Sequence, residues 1–125
     1  MQIEQIGKAV IDSAMKVHTA LGPGLLESAY RACVAHELVS RGLQVRQEVP
    51  FPVRYGETEI SVGYRIDLLI EDEVIVELKA VEKLLPIHTA QVLSYLKLSG
   101  CKLGFVINFN VPRLKDGIKR VVNGI

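Results

Sequence analysis

The chain has 125 residues, 49% of them hydrophobic, and a formal net charge of +1. This length corresponds to one domain with a real core, and the high apolar content leaves room for a homodimer interface. The small net charge excludes a chain-wide attraction to nucleic acid, so any basic surface must be local. Cys33 and Cys101 fit no metal or redox spacing. With no signal-peptide pattern and no apolar run near ~20 residues, we expect a cytoplasmic protein without membrane contact.

Two helices open the predicted order of elements. Apolar residues at spacings of three and four predict an amphipathic helix over residues 3–20, which the sequence LGPGL then breaks. The second helix is expected at about residues 25–41 and ends at Gly42. Residues 43–55 alternate weakly and contain two prolines, which favours an irregular or edge strand.

The second half of the chain predicts a mixed sheet. YGET is a turn, two strands follow it, and Pro86 begins a third helix at roughly residues 87–98 that Gly100 ends. KLGFVINF is a buried strand that can run parallel to the strand before the helix. The last residues, PRLKDGIKRVVNGI, predict a loop and a short basic helix. The prediction is therefore an α/β (α+β-like) domain over residues 1–125, with about four strands flanked by helices.

The stretch YRIDLLIEDEVIVELKA carries charges that a strand filling a core would not need. Its alternation on either side of an acidic turn predicts two antiparallel strands. A three-residue turn at 71–73 pairs Ile70 with Val74. Counting back from that pair places Asp67 opposite Glu77. One face is then wholly apolar and comprises Ile66, Leu68, Ile70, Val74, Val76 and Leu78. The other face comprises Arg65, Asp67, Leu69, Ile75, Glu77 and Lys79.

This register creates an electrostatic conflict between Asp67 and Glu77. Opposite side chains have Cβ atoms about 5 Å apart. Two carboxylates at that separation repel by about 3 kcal/mol at an effective dielectric constant of ~20. Lys79 and Arg65 could neutralise the pair by themselves. A divalent cation such as Mg²⁺, which takes one or two protein carboxylates and keeps positions for water and phosphate, is the alternative.

The second helix carries a further candidate ligand. Glu27 lies on the same helical stripe as Val34 and Leu38, which should face the sheet. A carboxylate there is costly unless it is paired or bound to a metal. The alternative is a partly exposed acid in the first helical turn, stabilised by the helix dipole. Glu37 also falls near this stripe, where we expect a salt bridge at the rim.

The third helix presents three polar residues on one face. Gln91 and Tyr95 are four residues apart and share a face with His88. Gln and Tyr side chains can orient a phosphate or a metal-bound water, and they are equally common as ordinary interface residues. His88, near the start of the helix, is expected to be structural.

Several motifs in this order resemble a known family. Asp67 followed by Glu77-Leu78-Lys79 is similar to the D…ExK signature of the PD-(D/E)XK nuclease superfamily, and the elements between residues 25 and 108 resemble its restriction-endonuclease-like core. GLLESAY is similar to the motif of the GxxExxY protein family, a branch of that superfamily. AHEL, VELKAV, AQVLSYL and INFNVPRLKDGI also resemble that family's pattern. The likeness covers nearly the whole chain.

The resemblance implies a metal-dependent nuclease. The metal ligands for Mg²⁺ or Mn²⁺ would be Glu27, Asp67 and Glu77. Lys79 would orient or help activate the attacking water and contact the scissile phosphate. Gln91 and Tyr95 match a Q…Y helix present in several branches and complete the candidate catalytic set. The sequence departs from the pattern at Ile66, where a proline often precedes the aspartate; the chemistry needs the carboxylate rather than the proline.

The expected partner is nucleic acid, with DNA the favoured form. Basic residues that could contact phosphates non-specifically are Lys97, Lys102, Arg113, Lys115, Lys119 and Arg120. For the C-terminal cluster, a solvated helix end is an equal alternative. Two other functions remain open: a non-catalytic nucleic-acid-binding or accessory protein on this fold, and a dimeric nuclease that resolves branched DNA.

Overall fold

A computed structural model describes the backbone of residues 1–125 and all side chains except those of residues 62 and 63. The helices are α1 (Ile3–Leu21), α2 (Glu27–Ser40) and α3 (Pro86–Ser99). The strands are β1 (Val45–Tyr55), β2 (Thr58–Ile70), β3 (Val74–Lys79), β4 (Leu103–Asn108) and β5 (Ile118–Val122), and a 3₁₀ turn spans Leu114–Gly117. No helix among the described residues is long and apolar enough to cross a membrane.

The strands form one mixed sheet in the order β1-β2-β3-β4-β5. β3 and β4 are parallel and joined by α3, as predicted, and the other neighbours are antiparallel. β1 lies at an edge and its register shifts between Phe51 and Val53, around a proline that cannot donate to the ladder. The predicted irregular edge strand is therefore confirmed.

Helices cover both faces of the sheet. One apolar cluster joins α1 and α2 to one face through residues such as Val10, Tyr30 and Leu38. A second cluster joins α3 to the other face through Val92, Leu96 and their neighbours. The sheet is thus buried on both sides, which explains why β4 reads as a continuous apolar run.

The hairpin between β2 and β3 has the predicted register. Ile70 pairs with Val74, and the turn between them places Glu71 and Asp72 at positive φ, which tight hairpins require. The predicted apolar face is wrong at one position, because Ile66 packs in the cluster under α3 instead of the cluster under α1 and α2. Regular pairing breaks at this point: Glu48 of β1 has φ 50°, and the β2–β3 ladder ends at Leu68↔Val76.

The predicted C-terminal helix is also wrong. Residues 118–122 form β5, which pairs antiparallel with β4 and makes the sheet five-stranded instead of about four-stranded. The backbone groups at the free edge of β4 gain partners in this way, and the β-branched residues of the segment suit a strand. Gly117 allows the approach, since a Cβ there would lie 2.2 Å from the carbonyl oxygen of Asn108.

Candidate functional site

The centre of the candidate site is the place where β2 and β3 stop pairing. Beyond Leu68↔Val76, the side chains of Asp67 and Glu77 replace the ladder. The Asp67 amide donates to Glu77 Oε1 at 3.0 Å, and the Leu78 amide donates to Asp67 Oδ2 at 2.9 Å. Each carboxylate therefore caps a backbone amide of the opposite strand. This reciprocal arrangement fixes the two side chains against each other between the strands.

Burial makes this carboxylate pair resist ionisation. Glu77 is only 4% exposed. Burial, together with the neighbouring Asp67 charge, raises its pKa to about 8. Burial also raises the pKa of Asp67, although hydrogen bonds from the Leu78 amide and with Glu77 oppose the shift. The pair therefore holds a proton at neutral pH that an isolated glutamate would have lost.

Two cations act on this pair from different elements. Lys79 lies two residues after Glu77 on β3, and its charge lowers the pKa of both carboxyls. Arg31 of α2 lowers the pKa of Asp67 in the same way, which the sequence did not suggest. Its Nε is buried without a hydrogen-bond partner among the described residues, while an Nη lies 3.6 Å from Glu48 Oε1. Neutralisation by Lys79 is incomplete, because the net pKa shifts of both acids remain upward.

Glu27 reaches the end of β3 from the first turn of α2. Its side chain is exposed, yet Oε2 accepts the Ala80 amide at 3.1 Å, directly after Lys79. Both sequence interpretations therefore hold in part, since the residue is a helix-first-turn acid and also faces the sheet end. Glu37, by contrast, forms the expected rim salt bridge with Lys16 at 2.8 Å.

Tyr30 fixes the position of this helix start. Its hydroxyl donates to the Gly22 carbonyl at 2.5 Å and accepts the Leu25 amide at 3.1 Å, which ties down the loop before α2. Its ring stacks on Phe109 with centroids 4.4 Å apart. The Phe109 amide donates in turn to the Lys79 carbonyl at 2.9 Å. The tyrosine of GLLESAY thus connects the loop, α2 and the end of β3.

Asn108 holds the segment that follows Lys79. The residue is 1% exposed and exchanges two hydrogen bonds with Val81, from the Val81 amide to Oδ1 and from Nδ2 to the Val81 carbonyl. Sequence reasoning missed this residue. The signal was a polar residue ending an otherwise apolar strand.

Tyr95 and Gln91 belong to α3, which covers the face of the sheet opposite to α1 and α2. The Tyr95 ring is 3% exposed, and its hydroxyl accepts a hydrogen bond from Gln91 Nε2 at 3.1 Å. Burial and the nearby Glu77 charge raise the pKa of Tyr95 to about 12, so the phenol keeps its proton at neutral pH. Because its oxygen accepts from Gln91, that proton is available to another acceptor. His88 has a structural contact, in which Nδ1 accepts the Leu85 amide at 3.0 Å.

The predicted phosphate-contacting residues are all exposed, but they do not form one surface. Arg120 makes a bidentate ion pair with Glu4 of α1. Lys119 instead stands across β4 from Glu77, because both pair with Val106. It therefore projects from the same face of the sheet as Glu77, two strands away.

The donors present fit a divalent cation only in part. Among the described side chains, no three His, Cys, Asp or Glu residues gather closely enough to hold a metal ion. Asp67 and Glu77 form a pair, and Glu27 binds the Ala80 amide instead. One oxygen of each paired carboxylate accepts an amide, so the other oxygen of each can face a cation. A hard cation prefers such ligands and would relieve the repulsion within the pair.

Comparisons with known proteins identify the superfamily and the fold. No curated protein matches the chain in sequence. A solved structure, the crystal structure of SSO0001, resembles the fold with a TM-score of 0.57 and 17% sequence identity, covering 78% of this chain and 50% of that chain. This chain thus corresponds to half of that protein, and the likeness concerns the fold alone. The family model of the PD-(D/E)XK nuclease superfamily matches residues 4–121. The chain therefore belongs to the PD-(D/E)XK nuclease superfamily, with a restriction-endonuclease-like mixed sheet.

Proposed function

We propose that this protein is a nuclease that hydrolyses nucleic-acid phosphodiester bonds with the help of Mg²⁺ or Mn²⁺, and that DNA is its substrate. The observation that carries the proposal is the buried Asp67–Glu77 pair, held together by reciprocal hydrogen bonds where β2 and β3 separate. A pair that served only the fold would be more stable as two apolar residues. The superfamily supports the same chemistry, since its members generally use divalent metals.

Asp67 and Glu77 would hold the metal, and Glu27 would act as a third ligand from α2. When bound, the metal would neutralise phosphate charge and lower the pKa of a coordinated water. In the structure Glu27 caps the Ala80 amide, so it would have to exchange that contact for the cation or act through an intervening water. The Tyr30 contacts hold the start of α2, which carries Glu27.

Lys79 would bring a positive charge to the scissile phosphate. It follows Glu77 by two residues and therefore projects from the same face of β3. An ammonium is a compact point charge, whereas a guanidinium would tend to bind the two carboxylates in a fixed fork. Lys79 would thus stabilise the charge that develops on the phosphate and orient the attacking water.

Tyr95 would act as a neutral hydrogen-bond donor to the phosphate that Lys79 contacts. Its proton is retained at neutral pH, and Gln91 fixes the direction of its hydroxyl by donating to the oxygen. The free O–H would therefore be available to donate to a phosphate oxygen. In this assignment Gln91 is a positioning residue, because it acts through Tyr95.

We further propose that the chain falls within the GxxExxY branch. The structure gives physical roles to two of the three named residues of GLLESAY, Glu27 and Tyr30. Glu27 caps the strand end that carries Lys79, and Tyr30 holds the loop and the helix that present Glu27. The Glu27 contact joins α2 to the end of β3, and the Tyr30 contacts hold the loop before α2. The motif residues therefore act together to place α2 against β3.

A cleavage panel tests the proposed function. Linear, flapped and branched DNA and RNA would be incubated with Mg²⁺, Mn²⁺ or EDTA. We expect metal-dependent cutting by the wild-type protein and none by Glu77→Gln. Glu73→Gln is the matched control, since Glu73 is an exposed acid in the turn beside the same strand. A wild-type protein that binds nucleic acid but cuts no substrate with either metal would leave only a binding function on this fold. Cutting confined to branched DNA, by a dimer, would instead identify a junction-resolving enzyme.

A further inference from the structure

A groove of about 780 Å³ opens beside the candidate site, between α3 and the β1–β2 hairpin. Gln91 and Tyr95 line it, and they are the residues whose hydrogen bond approaches Glu77. The groove therefore shares Gln91 and Tyr95 with the proposed catalytic set. A substrate whose phosphate was contacted by Tyr95 would have its neighbouring atoms beside this groove.

Tyr64 of β2 gives the groove an aromatic wall. Its ring packs edge-on against Tyr95 with centroids 6.0 Å apart, and yet 44% of the residue is exposed. Tyr64 precedes Asp67 by three residues, which corresponds to about 10 Å along a strand. The exposed part of this ring is therefore available to stack on a flat ligand near the carboxylates.

The other lining residues combine apolar surface with neutral hydrogen-bonding groups. Ile87 of α3 is 66% exposed and forms part of the opposite wall, while Ser94 and His88 offer polar atoms. Lys97 is the one residue with a full charge among those that line the groove, and it is positive. The lining therefore suits a flat ligand with apolar faces and a polar edge, attached to an anionic backbone.

We propose that this groove binds an unpaired nucleobase close to the scissile phosphate, with the base stacked on Tyr64. The proposal rests on the proposed nuclease function and names its substrate class, namely single-stranded nucleic acid or a strand with an unpaired segment at the cutting site. A base inside a duplex is stacked on both sides and cannot present a face to Tyr64. Every base has such a face, so the subsite selects unpaired structure rather than sequence.

Binding in EDTA tests the subsite without any cutting. The probes are a fluorescein-labelled oligothymidylate, the same strand with abasic residues, and a duplex with the same number of phosphates. We expect Tyr64→Ala to weaken binding of the oligothymidylate about 10-fold, the usual scale for loss of one stacked base, and to leave duplex binding within about twofold. Tyr64→Phe should bind as the wild type does, and abasic residues should remove the difference between wild type and Tyr64→Ala.

Tyr55→Ala is the matched control, because Tyr55 is a 71% exposed tyrosine on the same hairpin that does not line the groove. Ser94→Leu obstructs the groove while leaving Tyr64 in place, and it should reproduce the loss if Tyr64→Ala does not fold. Equal binding of the oligothymidylate by wild type, Tyr64→Ala and Ser94→Leu would overturn the proposal. A change of mass in light scattering on Tyr64→Ala would overturn it as well, since the groove would then join two copies of the chain.

The two proposals can fail separately. A wild-type protein that cuts DNA, while Tyr64→Ala cuts single strands with unchanged KM, would refute the subsite and retain the nuclease. A wild-type protein that binds oligothymidylate through Tyr64 and cuts nothing would refute the nuclease and retain the subsite.

Discussion

Replacement of Glu77 by glutamine should change how the stability of the protein depends on pH. In the unfolded chain this carboxyl has a pKa of 4.5, and burial in the folded protein raises the pKa to about 8. Between these values the folded state binds more protons than the unfolded state. The free energy of unfolding therefore falls as pH rises through this window. Below pH 4.5 the contribution of Glu77 is fully present, and above pH 8 it is lost.

The size of the effect follows from the difference between the two pKa values. A change from 4.5 to about 8 corresponds to roughly 5 kcal/mol at ~1.4 kcal/mol per unit, which is an upper figure because Asp67 titrates together with Glu77. Glutamine has the shape of the protonated acid and can still accept the Asp67 amide. We therefore expect Glu77→Gln to match wild type near pH 5 and to exceed it at pH 8 by several kcal/mol.

Urea unfolding at a series of pH values between 5 and 8.5 would measure this difference. Glu59→Gln, at an exposed acid near the far end of β2, should run parallel to wild type throughout. Each kcal/mol corresponds to about 4 °C in Tm for a chain of this size, so thermal scans would show the same divergence. Parallel profiles of wild type and Glu77→Gln would refute the raised pKa and with it the shared proton in the site.

Three further predictions concern the metal, the lysine and the loop. Millimolar Mg²⁺ or Mn²⁺ should raise the Tm of wild type, because a ligand of the folded state stabilises it, and Asp67→Asn should reduce that rise in the same thermal scan. Lys79→Ala keeps the carboxylates, so it should lower the cleavage rate about 10²–10³-fold while nucleic-acid affinity, measured by anisotropy, changes far less. Tyr30→Phe removes the hydroxyl that joins Gly22 and Leu25 and should cost about 1–2 kcal/mol in urea unfolding; an unchanged midpoint would exclude this role.

The parts of the site that could be predicted are those set by local pattern. The alternation of residues around a three-residue acidic turn was sufficient to predict the pairing of Ile70 with Val74, which brings Asp67 and Glu77 together, because a shift by one residue would have moved the apolar row to the other face. The parallel pairing of β3 with β4 followed in the same way from a single crossover helix. In both cases the deciding information lies within a few residues of the feature or in its connection length.

The parts that could not be predicted depend on distant residues. β5 forms because β4 offers an unpaired edge, and nothing within residues 118–122 indicates that edge. Ile66 changes face because pairing breaks beside it, where Glu48 of the neighbouring strand adopts a positive φ. The role of Tyr30 depends on Phe109, which lies 79 positions later in the chain and supplies the stacking surface.

The separation of β2 from β3 explains why the charged residues lie where they do. Inside a regular ladder, amides that face the neighbouring strand bond to its carbonyls, so both carboxylates would be buried without these donors. Because the strands part, each amide is free to bond a carboxylate, which offsets some of the burial cost that raises both pKa values. The remaining burial cost keeps a proton on the carboxylate pair, and a divalent cation is the kind of ligand that can replace that proton. The separation of the two strands and the raised pKa values of the two acids thus belong to the same local arrangement.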